Sequence, residues 1–255
     1  MVNYVSLHAP SDLTIAHIND RRREIAERCV EKVIRVAPKI DCQRVVIHGC
    51  YHAAEIGNQT KMTSLRKRTF QKCVESIKRL EKIMDDLGVI ICLENMNARL
   101  HLDRLYYMIF GSSPNDLVKM AIEVNSSHLS FCFDAAHAYN FCRQVYESRK
   151  MRALYDVQAL SVPDFFRVIK HNVSIIHFSD AKGSIAGLEE SEHLPFQQGE
   201  VDFKALVKVI HECKFEGPVV LETQEEDIDD ARNMFQGRKY LNALIDSVTK
   251  SSSQK

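Results

Sequence analysis

The 255-residue sequence has no Cys-x-x-Cys pair among its eight cysteines, no glycine-rich cradle among its nine glycines and no net formal charge. It also has no apolar run approaching the ~18 residues that span a bilayer. Each absence excludes something. Cys92 and Cys132 fall inside apolar segments, where a thiol behaves as a small hydrophobe, so the cysteines read as reduced and intracellular. The N-terminus carries neither a basic region nor an apolar stretch long enough for secretion, and we expect a soluble, cytoplasmic protein with no membrane partner. Balanced charge removes any global basic field that would gather nucleic acid, leaving only a local patch for that purpose. Gly199, alone in its Gln-Gln-Gly-Glu turn, reads as structural.

What is present is a 45% hydrophobic chain of the length a single α/β barrel needs. It is organised around Leu129 to Asp134 (LSFCFD), an almost unbroken apolar run that ends on an acid, with His137 three residues on. Such runs mark parallel strands buried on both faces. Val45 to His48, Val89 to Glu94, Ser174 to His177 and Pro218 to Glu222 repeat the design, each closing on one carboxylate or imidazole, and Tyr4 to His8 is a shorter version. His193 to Phe196 reads as one more short strand.

Between the strands lie helix patterns. Asp20 can cap a helix reaching about Ala37, with Ile25, Cys29, Val33 and Val36 on its apolar face and Arg21, Arg22 and Arg23 in a solvated first turn. Further helices are expected from about Thr63 to Leu87, stopped by Gly88, then after Ser112, over Pro163 to Lys170, over Phe203 to Cys213 and near the C-terminus to about Thr249. Residues 138–163 are weakly patterned and rich in aromatic and basic side chains; they fit either a lid or an irregular rim loop. We expect one domain over residues 1–250, followed by a frayed tail, 251–255.

The strand-terminal residues 8, 48, 94, 134, 177 and 222 stand 40 to 46 residues apart, one strand plus one helix plus loops. That is βαβ repetition and implies a parallel sheet. A doubly wound sheet binds ligands at one switch point, whereas a closed barrel collects every strand end at one mouth, so the fold expected is the α/β TIM (β/α) barrel.

The mouth would gather His8, His48, Glu94, Asp134, His137, His177, His193 and Glu222. Any one of these histidines alone fits a satisfied core or rim residue better than a ligand. Acids closing apolar strands must instead be paired or hold a cation, and several converging acids repel unless a divalent ion lies between them. Mixed carboxylate and imidazole donors suit Zn²⁺, Mn²⁺, Mg²⁺, Fe²⁺ or Co²⁺, with Glu94, Asp134, His177 and Glu222 the strongest set and His8, His48, His137 and His193 as further ligands or supporting donors. His17, His52, His101, His128, His171 and His211 lack this pattern and read as surface or structural.

Val89 to Asn95, Phe131 to His137, Ile176 to Gly183, His193 to Phe203 and Gly217 to Glu222 together resemble the xylose isomerase-like TIM-barrel superfamily, which holds sugar isomerases and epimerases beside apurinic-site endonucleases of the endonuclease IV type. In the isomerase branch the resemblance implies that Glu94, Asp134, His177 and Glu222 hold one ion, and that Glu94 and Glu222 move a proton beside the carbonyl of a small sugar, polyol or sugar phosphate. His137, Lys182 and Asp180 would contact that carbohydrate. In the endonuclease branch it implies three zinc ions, on His8, His48 and Glu94, on Asp134, His177 and Glu222, and on His137 with His193, and DNA as partner. A third outcome is a non-catalytic member that keeps the metal site.

The isomerase is the first expectation, because the chain departs from the endonucleases in two places. Ser191 stands where they carry an acid, with Glu190 or Glu192 as substitutes, and the Ala9 to Leu13 loop lacks their aromatic residue. The superfamily's usual first strand and helix, ahead of the His8 strand, have no counterpart, so the barrel should be gapped or seven-stranded, with open edges that invite self-association.

Overall fold

The computed structural model describes residues 4–11, 13–52, 59–97, 107–183, 192–225 and 229–252. Chain order is β1 (Ser6–His8), α1 (Asp20–Val36), β2 (Arg44–His48), β3 (Cys50–His52), α2 (Gln59–Leu87), β4 (Ile90–Glu94), β5 (Tyr107–Phe110) and α3 (Pro114–Val124), then β6 (Leu129–Asp134), α4 (Ala135–Glu147), α5 (Arg149–Tyr155), α6 (Val162–Ile169), β7 (Val173–Phe178), α7 (Phe203–Glu212), β8 (Val219–Leu221) and α8 (Arg232–Ser252). Six strands form one parallel sheet in the order β1-β2-β4-β6-β7-β8. This is the expected barrel in partial form: among the described residues β1 and β8 do not pair with each other, so the sheet is gapped and has six strands rather than seven. His193 to Phe196 contributes only the isolated bridge Asp180–Leu194.

Alternation along each strand explains the unbroken apolar runs. Val45, Ile47, Ile91, Leu93, Phe131, Phe133, Ile176 and Phe178 face the helices and form the main core. Val46, Cys92, Cys132 and Ile175 point the other way and make a second apolar cluster inside the barrel. The next inward position toward the carboxyl ends carries His48, Glu94, Asp134 and His177. The site therefore stands on an apolar floor, and the helices cover only the outer face.

Several local expectations are corrected. Asn19, not Asp20, caps α1, its Oδ1 accepting from the Arg22 N–H at 3.1 Å. The buried stripe of α1 is Ala26, Val30 and Ile34, while Ile25 and Val36 are 42% and 44% exposed. Two apolar stripes lie one residue apart on this helix, and periodicity alone does not say which faces the sheet. Arg23 is buried rather than solvated, donating to the His17 carbonyl at 3.0 Å and pairing with Asp20 at 2.6 Å. Residues 138–163 are mostly helical rather than irregular, taking in most of α4, α5 and the start of α6; small and polar residues on the buried face of α4, such as Ala135, Ala138 and Asn140, hide its periodicity. Helix α8 runs to Ser252, into the expected tail. The short antiparallel pair β3–β5 was not expected, and Gly49 allows it: a Cβ there would lie 2.7 Å from the Phe110 carbonyl oxygen. Gly88, at φ +63°, stops α2 as anticipated. Among the described residues no helix is long and apolar enough to cross a membrane.

The corrected register of α1 is testable by urea denaturation. Ile34→Ala should cost about 2–5 kcal/mol, the usual range for emptying a core site, whereas Ile25→Ala should change stability by less than about 0.5 kcal/mol.

Candidate metal centre

Glu94 closes β4 at 1% exposure, and its two oxygens face different partners. Oε2 lies 3.2 Å from His8 Nε2 and 3.4 Å from His48 Nε2; Oε1 lies 3.4 Å from both His137 Nδ1 and His177 Nδ1. One carboxylate thus joins the ends of β1, β2 and β7 to the first turn of α4. His177 Nδ1 also lies 3.1 Å from Glu222 Oε1, which brings in the residue after β8.

Three groups of donors converge, each with its ligand atoms within 4.8 Å of one another: His8, His48 and Glu94; Glu94, Asp134, His177 and Glu222; and His137, Glu192 and His193. All eight sequence-predicted ligands are brought together. The third group gains Glu192, buried at 7%, whose Oε2 lies 3.9 Å from His137 Nε2 and accepts from Asn97 Nδ2. Cys132 shares a further group with Glu94 and His177; burial pushes its thiol well above the usual range.

Backbone carbonyls set the orientation of three imidazoles. His8 Nδ1 donates to Ala9 O at 2.6 Å, His137 Nδ1 to Asn95 O at 3.0 Å and His193 Nδ1 to Glu222 O at 3.1 Å. Such a bond leaves Nε2 unprotonated in the neutral ring, the form a metal-ligating histidine needs; Nε2 faces Glu94 in His8 and Glu192 in His137. Asn95 fixes the acid beside them: its side chain donates to Asp134 O at 2.9 Å and accepts from Asp134 N at 2.8 Å, tying the ends of β4 and β6 together. Asp134 then caps α4 by accepting from His137 N at 2.6 Å. Sequence reasoning gave Asn95 and Asn97 no role; their only signal was a place just beyond a strand-terminal acid.

The electrostatics fit a cation. Glu94 Oε1 and Asp134 Oδ2 are buried without a hydrogen-bond partner among the described residues, and buried carboxylate oxygens are costly unless a positive charge answers them. Burial pushes the Glu94 carboxyl up, but the four imidazoles around it, His137, His177, His48 and His8, outweigh that and hold the group well below the usual carboxylate range. Burial raises Asp134, with the charge of His137 opposing. His137 is lowered by burial yet driven up to about 10 by Asp134, Glu94 and Glu192. Protons on the imidazoles here answer the same negative charge that bound ions would.

Of the expected substrate contacts beside His137, Asp180 is engaged by the backbone. Asp180 is buried at 2%, with Oδ1 accepting from Ala181 N and Val201 N at 2.9 and 3.1 Å and Oδ2 from Gly199 N at 2.9 Å, so its carboxylate holds the 199–201 turn. Gly199 belongs to that grip: a Cβ would lie 2.2 Å from Asp180 Oδ1. Lys182 is exposed. Ser191, Glu190 and His101 lie outside the described residues.

In metal-free protein the His137 pKa lies above its unfolded value of 6.5, so its contribution is complete below about pH 6.5 and is lost as pH rises toward about 10. The thermal midpoint measured with chelator should fall across that window, and divalent metal should flatten the fall because ions replace the protons. Asn97→Ala, by releasing Glu192, should weaken binding of the most labile ion by roughly 10- to 100-fold in metal-buffered titration.

Residues 2–244 match the family described as "Xylose isomerase-like TIM barrel". An uncharacterized protein, MJ1311, of Methanocaldococcus jannaschii is 22% identical over 98% of this chain and 73% of its own length. A probable endonuclease 4 of Mycobacterium leprae is 23% identical over 89% of this chain and 75% of its own. Among solved structures, a D-tagatose 3-epimerase-like protein superposes with a TM-score of 0.74 at 20% identity, covering 98% of this chain and 79% of that one. With a family match over nearly its whole length and the strand-end donors in place, this chain belongs to the xylose isomerase-like TIM barrel family.

Proposed function

We propose that this protein is a metal-dependent phosphodiester hydrolase that cleaves a nucleic-acid backbone at an apurinic-type lesion. The observation that carries this reading is the division of Glu94 between two donor groups, with Glu192 completing a third. Eight histidine and carboxylate ligands with one more acid exceed what a single ion uses, and they suit three. The departure at Ser191 carries less weight, because the neighbouring Glu192 groups with His137 and His193.

His8, His48 and Glu94 would hold one ion, Glu94, Asp134, His177 and Glu222 a second, and His137, Glu192 and His193 the third. Divalent ions there would supply charge to stabilise a phosphate in its transition state and acidify water at neutral pH. The chain's own residues do the rest. Glu94 keeps two donor groups at fixed separation, the Ala9, Asn95 and Glu222 carbonyls keep the imidazoles in register, and the Val46–Cys92–Cys132–Ile175 floor excludes water from below. Glu222, with 27% of its side chain exposed, is the carboxylate placed to take a proton at the open side of the mouth.

One observation favours a second reading. Glu94, Asp134, His177 and Glu222 form a four-donor group by themselves, sufficient for a single ion that polarises a sugar carbonyl while Glu94 and Glu222 exchange a proton across it. Under that reading the chain is a sugar or sugar-phosphate isomerase or epimerase, and the third donor group has no part in the chemistry.

Metal analysis of zinc-loaded protein, run beside an abasic-site duplex and a ketose panel, separates the two. We expect close to three ions per chain and cleavage of the duplex, reduced roughly 100-fold or more in Glu94→Gln and, with one ion fewer, in His193→Ala. About one ion, ketose turnover and no cleavage would select the isomerase.

A further inference from the structure

At the opposite end of the same barrel, where the strands begin, lies a cavity of about 350 Å³ lined by Arg44, Phe166, Lys170, Ser174, Lys214 and Glu216 among others. We propose that it is a second ligand site, for a small phosphate-class anion such as a phosphomonoester, independent of the metal centre.

Arg44 is the centre of the argument. It is the first residue of β2, and alternation puts it on the inward face with Val46 and His48, so it sits beneath the apolar floor. Its Nε is buried with no hydrogen-bond partner, and among the described residues the guanidinium meets the Tyr4 ring, 5.9 Å from its centroid, and forms no ion pair. A buried guanidinium nitrogen without an acceptor is costly to keep. Lys170 and Lys214 follow the ends of α6 and α7, where a cation also offsets the helix dipole, but Arg44 begins a strand and has no such local reason to be charged. Three cations therefore share the cavity with one carboxylate, Glu216.

The walls suit a small ester. Phe166, Val173, Cys213 and Phe215 are apolar, and the Ser174 hydroxyl, 3.3 Å from Cys92 Sγ, supplies a polar group beside Arg44. Gly217 lets the turn before β8 close tightly, since a Cβ would come 2.4 Å from the Phe215 ring and 2.7 Å from Ser174 O. The volume is at the small end of ligand pockets, enough for a phosphate with a short organic group, and the planar fork of arginine matches phosphate oxygens in pairs.

Isothermal titration of zinc-loaded protein with inorganic phosphate, with glycerol phosphate and with chloride at matched ionic strength tests this. We expect saturable binding of one phosphate-class ligand per chain that persists in Glu94→Gln, weakens at least tenfold in Arg44→Met and severalfold in Lys214→Met, and is absent with chloride. Tighter binding of glycerol phosphate than of phosphate would identify an ester as the ligand, and the reverse order would identify the free anion. Binding that vanishes in Glu94→Gln but survives Arg44→Met belongs to the metal centre and overturns the proposal, as does no saturable binding. Should Arg44→Met fail to fold, the exposed Lys214→Met decides: unchanged affinity overturns the site. Loss of duplex cleavage with phosphate binding intact would count against the proposed hydrolase alone.

Discussion

A carboxylate at 1% exposure, with imidazoles approaching both of its oxygens, is the constraint on which the rest of this structure depends. An ionised Glu94 could not remain at the end of a buried strand if the surrounding elements were not placed to answer its charge. The fold meets that demand from four directions at once: β1, β2, β7 and α4 each deliver one histidine. Because those elements are remote in sequence, the site forms only when the sheet is complete from β1 to β7.

The barrel supplies the precision. Period-two alternation sends one set of side chains to the helices and the other inward, so an apolar layer of Val46, Cys92, Cys132 and Ile175 precedes the ionic layer. Asn95 then ties β4 to β6 through both backbone groups of Asp134, and the carbonyl of Asn95 aligns His137. These contacts leave the ligand atoms fixed by backbone rather than by flexible side chains, the arrangement that preorganised sites need. The gap between β1 and β8 does not interrupt it, since the His8 and His177 rings approach to 6.2 Å across the mouth.

Relatives with such a scaffold carry different chemistries, and a fold alone does not choose among them. What bears on the choice here is the use made of donors outside the Glu94, Asp134, His177 and Glu222 group. Glu192 is instructive. Read along the chain, it is one of two acids flanking a serine in a charged loop; in space, Asn97 and His137 bracket it.

The six strands of the parallel sheet, the barrel architecture and the strand-terminal donors were legible in the sequence, because burial on both faces and the cost of an unanswered acid leave marks in residue order. Val89 to Glu94 and Leu129 to Asp134 could hardly be read otherwise. The face of α1 was not legible, since Ile25 and Val36 are as apolar as Val30 and Ile34 and only contact with the sheet distinguishes them. Nor were the helices of residues 138–163, the structural grip of Asp180 on Gly199, or the service of Asn95 and Asn97. Hydrogen bonds between residues 39 to 95 apart leave no periodicity behind, so tertiary structure alone decided which polar side chains support the site and which hold the fold.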